Sequence, residues 1–519
     1  MKKFLAALVC VLLVGGCTTT TDDRPELQDP LSVDTATGLL RGSEVGGTRQ
    51  FLGVRYARPP VGDLRWALPE AAPDTEDTVD ATSFGARCPQ GTGPDVQTDE
   101  DCLFLNVTVP SDAGDGRLPV VVWWHGGGFT SGAGSDYDAT RFAEQGNVIV
   151  VTVNYRLGML GYLGLPGLEG SGNFGLADQL LALKWANDNA EAFGGDPDNV
   201  TVMGESAGGM SACAALGSPA AEGLVDKAII QSGSCMIDWP AGTLYPGLPE
   251  LTPYAPLAES EATGSAIADA LGCTDDRLRC LREVPVEKVV EQSSSFGNGL
   301  AYGTDLLPTN PADAVRDGRT MPIPVIMGGN ADEHRSFVGG ALLADPTSVT
   351  DETYRSLIEQ AFGTRAGEVE QRYPRNGFDS AALAWSTLVT DAAWSCPMLN
   401  TSALLSTNAD VWSYEFADET APDVSGVSAT GLAQGAAHAT DLPYTFDLNG
   451  SDLLTGPGQK DLSEKMIEAW SEFARSGDPG EGWPKTTDAS GPVLEFGNPD
   501  TVVGNYYDAH QCGFWSDRG

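Results

Sequence analysis

Positive charge is what this 519-residue sequence has least of: 30 Lys plus Arg stand against 72 Asp plus Glu, for a formal net charge of −42. Only eight of the basic residues are lysines, and they form no run. A phosphate backbone would be repelled with no basic stripe to offset it, which excludes nucleic-acid binding. Docking on anionic lipid through charge is excluded for the same reason. Long hydrophobic runs are also missing. The run at 4–14 is too short to span a bilayer as a helix, and no later stretch is long and apolar enough. Histidine is rare, at four, and the ten cysteines form no Cys-x-x-Cys pair. Zinc ligation is therefore not expected, and no calcium-loop spacing occurs. No repeat of fixed period appears. What is present is a globular composition, 41% hydrophobic, in a chain long enough to wall in a cavity.

The N-terminus reads as an address. Lys2 and Lys3 precede the apolar run at 4–14, and Val14-Gly15-Gly16-Cys17 follows. Small residues before a cysteine resemble a bacterial lipobox, so residues 1–17 are expected to be a leader acylated at Cys17. Residues 18–34 are polar and read as a flexible tether, and 35–519 as one large domain. The chain is then exported, and its membrane contact is limited to that N-terminal lipid; plain secretion is the other possibility. Export implies an oxidising compartment. Cys10 and Cys17 leave eight cysteines for the domain, an even number that permits four bridges.

Short apolar runs at 120–124, 148–153, 200–203, 228–231 and 323–327 read as strands buried on both faces. A helix is expected at 175–193, where Leu176, Leu180 and Leu183 recur near a 3.6-residue period, and a small-residue helix at 207–216. This βαβ alternation implies an α/β domain with a mostly parallel sheet. The Pro-rich stretches 245–256 and 308–324 read as surface excursions within it.

The strongest chemical signal is Gly204-Glu205-Ser206-Ala207-Gly208, a GxSxG set between a strand and a helix. A sharp turn there lifts the serine hydroxyl above the sheet, and the glycines let strand and helix approach. Upstream, His125-Gly126-Gly127-Gly128 again follows a strand. Glycines leave backbone N–H groups uncovered, which is what a developing oxyanion requires. No Lys-Ser/Thr follows, so a phosphate-binding loop is excluded. A serine needs a base. His125 abuts the glycine loop and His334 directly follows Glu333, so chain order selects His438, or less readily His510. The acid should lie between serine and base at a strand end, where Asp332 and Glu333 both qualify and spacing does not choose. No cofactor is needed for such chemistry.

With these elements in order, the chain resembles the type-B carboxylesterase/lipase family, which includes cholinesterases and bacterial p-nitrobenzyl esterases. Phe51-Leu52-Gly53-Val54-Arg55-Tyr56, Glu100-Asp101-Cys102-Leu103-Phe104-Leu105-Asn106 and Asn173-Phe174-Gly175-Leu176-Ala177-Asp178-Gln179 also look like family segments. The resemblance implies an α/β-hydrolase fold and a serine esterase acting on small-molecule esters through an acyl-enzyme. It implies the triad Ser206, Glu333 and His438, with oxyanion donors on Gly127, Gly128 and Ala207. It implies a buried polar network of Glu205, Ser232 and Asp441, and an Arg156–Asp178 pair. Bridges Cys88–Cys102, Cys273–Cys280 and Cys396–Cys512 follow from it, leaving Cys213 to Cys235. Two departures stand out. Ala439 follows the histidine where the family usually has Gly, a methyl expected to narrow the site. The Cys88–Cys102 loop has no Trp to stack on choline, which disfavours choline esters. Segments 296–302 and 381–394 are expected to wall the pocket. The family also contains non-catalytic adhesion proteins, and a deacylase of surface polymers or polyesters would share the same machinery.

Overall fold

The structure is a computed structural model that describes residues 30–516 apart from 92–97, 113, 115, 294–298, 498–500 and 505, with backbone only at 501–503. The leader at 1–17, its Cys17 and residues 18–29 of the expected tether lie outside the described residues, while its last residues are not a free linker: Ser32–Thr35 pairs as a strand with Gly38–Arg41 and buries Val33. An eleven-stranded sheet forms the centre. In chain order its strands are β1 (Ser43–Val45), β2 (Thr48–Arg55), β3 (Phe104–Pro110), β4 (Leu118–Trp124), β5 (Ile149–Val153), β6 (Gly195–Glu205), β7 (Lys227–Gln231), β8 (Val325–Asn330), β9 (Val411–Phe416), β10 (Val493–Phe496) and β11 (Thr501–Val503). Their order across the sheet is β11-β10-β9-β8-β7-β6-β4-β5-β3-β2-β1. Strands β4 to β10 run parallel, and antiparallel pairings flank them on both edges. From β4 the sheet grows one way through β5 and the other way through β6. That reversal opens a crevice at the carboxyl edge, the place where sheets of this type bind ligands.

Alternation along β4 explains the layers. Val120, Val122 and Trp124 join one apolar cluster, whereas Val121 and Trp123 join another across the sheet. The first cluster takes in Leu176, Leu180 and Leu183 of α2 (Phe174–Asn189) and Met210 of α3 (Ala207–Ala215). The second takes in Phe142 of α1 (Thr140–Gly146) and Met466, Trp470 and Phe473 of α5 (Pro457–Ser476). A further helix, α4 (Arg335–Ala344), follows β8. This is the α/β-hydrolase architecture.

Several boundaries differ from the sequence reading, the widest at β6, which is expected at 200–203 and runs over Gly195–Glu205. The strand expected at 323–327 begins at Val325, because Pro322 and Pro324 cannot donate to the ladder, and it continues to Asn330. The helix expected at 175–193 ends at Asn189 and tightens into a 3₁₀ turn, Ala190–Phe193, closed by Gly194 at φ 87°. The excursion at 245–256 ends in a short strand, Tyr254–Pro256, parallel to Leu300–Tyr302. Four disulfides join Cys88 to Cys102, Cys213 to Cys235, Cys273 to Cys280 and Cys396 to Cys512. Among the described residues, no helix is long and apolar enough to cross a membrane.

Candidate active site

The carboxyl ends of β4, β6, β7 and β8 are nearly level, with Trp124 paired to Gly204, Glu205 to Gln231, and Gln231 to Gly328. Each end releases a functional segment. After β6 the chain turns at Ser206, whose φ of 53° is unusual for any residue but Gly, and α3 starts at once. Close approach makes that turn possible. A Cβ on Gly208 would stand 1.9 Å from the Trp124 carbonyl oxygen, and one on Gly204 only 2.5 Å from Gly208. After β4 comes the glycine loop, with Gly127 at φ 106° and Gly128 at φ 60°. It lies directly over the serine, since a Cβ on Gly126 would be 3.0 Å from that of Ser206. The backbone N–H groups of Gly127, Gly128 and Ala207 donate to no other group among the described residues.

Glu333 follows β8 and is fully buried. One carboxylate oxygen accepts from the Asn330 backbone N–H at 2.9 Å, and the other lies 2.6 Å from His438 Nδ1. The neighbouring carboxylate is engaged elsewhere: Asp332 pairs with Arg335 and accepts from the Ala436 N–H. His438 Nε2 sits 3.2 Å from Glu205 Oε1, and no hydrogen bond joins it to Ser206 Oγ among the described residues. Burial opposes the His438 imidazolium, but Glu205 and then Glu333 outweigh it and hold the group well above the ordinary histidine range. Burial likewise raises the Glu205 and Asp441 carboxyls.

Asp441 accepts from Gln231 Nε2 at 2.9 Å, and Asn330 Nδ2 reaches both Asp441 and the Ala437 carbonyl. Ser232 is buried beside them at the end of β7, yet its hydroxyl bonds neither Glu205 nor Asp441. Arg156 and Asp178 form a buried bidentate pair, both contacts at 2.7 Å. Ala439 has φ 68°, and its methyl packs on the core around Trp123. The glycine common at that position therefore answers to backbone conformation rather than to room in the site.

The remaining histidines are accounted for. His125 stacks on Tyr155, places Nδ1 2.7 Å from the Gly126 carbonyl, and is lowered to about 4 by burial. His334 is lowered to about 3, again by burial, and packs on Phe337. His510 has both ring nitrogens occupied, Nδ1 by Asp391 and Nε2 by Glu415, each at 2.7 Å, so neither can serve a serine.

Sequence reasoning missed an aromatic wall. Trp394 and Phe337 lie 4.9 Å and 5.1 Å from the His438 ring centroid, and Trp239 packs edge-on against Trp394. Trp394 comes from a π-turn, Thr390–Ser395, within the segment expected to form a wall. Of the other such segment, 296–298 lie outside the described residues. Phe337 stands four residues past Glu333 on α4, a spacing that could have flagged it.

A parallel sheet with a serine elbow, a glycine loop and a buried carboxylate–imidazole pair at its carboxyl edge defines a hydrolase class. The chain belongs to the carboxylesterase family, whose model matches residues 29–515. The para-nitrobenzyl esterase of Bacillus subtilis is 35% identical, covering 86% of this chain and 90% of that protein. The fumonisin B1 esterase of Sphingopyxis macrogoltabida is 34% identical over 91% of this chain and 88% of that one. A solved thermophilic pNB esterase superposes with a TM-score of 0.77 at 31% identity, covering 93% of this chain and 99% of that one. The protein is a carboxylic-ester hydrolase.

Proposed function

We propose that Ser206, His438 and Glu333 form the catalytic triad, and that Gly127, Gly128 and Ala207 supply the oxyanion donors. The observation that carries this reading is the strained Ser206 elbow facing the glycine loop, with the buried Glu333–His438 pair at 2.6 Å beside it. Ser206 Oγ attacks the ester carbonyl carbon, and His438 Nε2 takes its proton. The carbonyl oxygen becomes an oxyanion held by backbone N–H groups whose hydrogen-bonding capacity is unspent. The C–O bond breaks, and the alcohol departs with the proton from Nε2. Water then enters the same cycle and releases the acid. Glu333 holds the imidazole tautomer and stabilises its charged form. In the resting site Nε2 faces Glu205, so loading of substrate accompanies a small turn of the ring toward Ser206, with Nδ1 kept on Glu333.

The wall of Trp394, Phe337 and Trp239, with carboxylates as the charged neighbours of His438, favours small, uncharged esters with an apolar acyl or aryl group. We read 1–17 as a lipoprotein leader acylated at Cys17, the residues after it as a tether that ends where the strand Ser32–Thr35 begins, and the remainder to 519 as a single catalytic domain held at the outer face of a membrane. Four disulfides support an oxidising compartment. The test is hydrolysis of p-nitrophenyl acetate, butyrate and octanoate beside Ser206→Ala, with fluorophosphonate labelling. Turnover and labelling should both vanish in the variant, a loss of at least about 10³-fold. Labelling of another residue would refute the assignment.

A further inference from the structure

The glycine loop owes its shape to a side chain outside it. Gln90, two residues past Cys88, is more than nine-tenths buried. Its Nε2 donates to the Gly132 carbonyl at 2.9 Å, and its Oε1 accepts from the Gly132 N–H at 2.9 Å. Gly132 N–H can only donate and its carbonyl only accept, so this reciprocal pair fixes the amide orientation. Nε2 also donates to the Cys88 carbonyl, which ties the grip to the Cys88–Cys102 disulfide.

Gly132 sits on the returning limb of the loop and transmits its position to the outgoing limb by contact. A Cβ there would stand 2.4 Å from His125 Nδ1 and 2.9 Å from the Gly126 carbonyl, so the two limbs touch. The intervening turn closes on Gly127, whose carbonyl accepts from the N–H groups of Thr130 and Ser131 at 3.0 Å and 3.1 Å. Two further clamps hold the stretch beyond. Asn154 Oδ1 accepts from the Gly134 N–H at 2.8 Å while its amide donates to the carbonyls of Ala86 and Cys102. Arg87 makes a fork-to-fork pair with Asp136, which in turn accepts from the Ala133 N–H. Among these, Gln90 grips the loop closest to its donors.

We propose that Gln90 is a positioning residue for oxyanion stabilisation, setting the N–H groups of Gly127 and Gly128 from the disulfide-closed loop. This rests on the oxyanion reading above. An amide aimed a fraction of an ångström away from the developing charge loses transition-state binding and leaves ground-state binding nearly intact.

The experiment compares Gln90→Met, which fills nearly the same space without the hydrogen bonds, and Gln90→Ala in the fully oxidised protein. The readouts are kcat and KM for p-nitrophenyl butyrate, the pH midpoint of kcat/KM, and affinity for an alkyl trifluoromethyl ketone against the matching methyl ketone. The fluorinated ketone forms a hemiketal oxyanion on the serine. In Gln90→Met, kcat should fall roughly ten- to a hundredfold, with KM held within about threefold, the trifluoromethyl ketone weakened in parallel and the pH midpoint unmoved. Unchanged kcat and ketone affinity would overturn the proposal, as would a loss carried wholly by KM or by a moved pH midpoint. If Gln90→Ala does not fold, Gln90→Met alone decides. A wild-type protein that binds both ketones equally well would show instead that the oxyanion reading itself is wrong.

Discussion

At the scale of single residues, the site is a competition for one imidazole. Glu333 takes Nδ1, while Glu205 lies 3.2 Å from Nε2, the nitrogen that the serine hydroxyl needs. Both carboxylates favour the charged ring against the cost of its burial, lifting it to about 9. Only the neutral ring can act as base, so kcat/KM should climb with pH through 7 and 8 and reach half its plateau near 9. Glu205→Gln removes one of the charges that raise the ring, so the midpoint should move to lower pH; an unmoved midpoint would show that Glu205 does not set it. The sign for stability is opposite. A group raised above its unfolded value of 6.5 stabilises the fold below that value, and this contribution is lost as pH rises through about 9. Ala439 offers a separate test. An L-residue at φ 68° costs about 1 kcal/mol, so Ala439→Gly should raise the unfolding free energy by about that amount, read as a higher urea midpoint.

At the scale of elements, the site depends on how closely β4, β6 and α3 approach. Gly208→Ala would drive a methyl into the Trp124 carbonyl. Strand and helix would separate, and the cost should reach at least about 1–3 kcal/mol with fluorophosphonate labelling of Ser206 abolished, which thermal unfolding and labelling together would measure. These elements were readable in the sequence because each is a buried apolar run or a glycine constrained by geometry. The strand at 120–124, the GxSxG turn and the small-residue helix all depend on local pattern. The flanking strands β1 and β2 have mixed patterns and partly exposed residues, and β3 is buried but sets Asn106 and Thr108 among its apolar residues, so no continuous apolar run singled them out. Phe337 and Trp394 meet His438, and Trp239 meets Trp394, only through tertiary packing, and an isolated tryptophan reads as core. Chain order left His510 as a second choice of base; its two carboxylate partners lie 119 and 95 residues away, beyond any local signal.

At the scale of the whole molecule, charge dominates. A chain at −42 repels itself, and salt screens that repulsion beyond a Debye length of about 8–10 Å at ordinary ionic strength. The thermal midpoint should therefore rise as sodium chloride increases from about 10 mM to about 1 M. A falling midpoint would mean that the exposed ion pairs, such as Lys184–Asp188 and Arg316–Asp313, outweigh the net repulsion. The last disulfide, Cys396–Cys512, closes a span of 116 residues that contains His438. The four segments of the proposed machinery thus leave the ribosome far apart in time: glycine loop, then Ser206, then Glu333, with His438 last. A nascent chain can complete its elbow and its anion cradle long before it owns a general base. Ester cleavage is therefore a late event in the birth of this protein, and a truncated product that folds as far as β8 would be inert by construction.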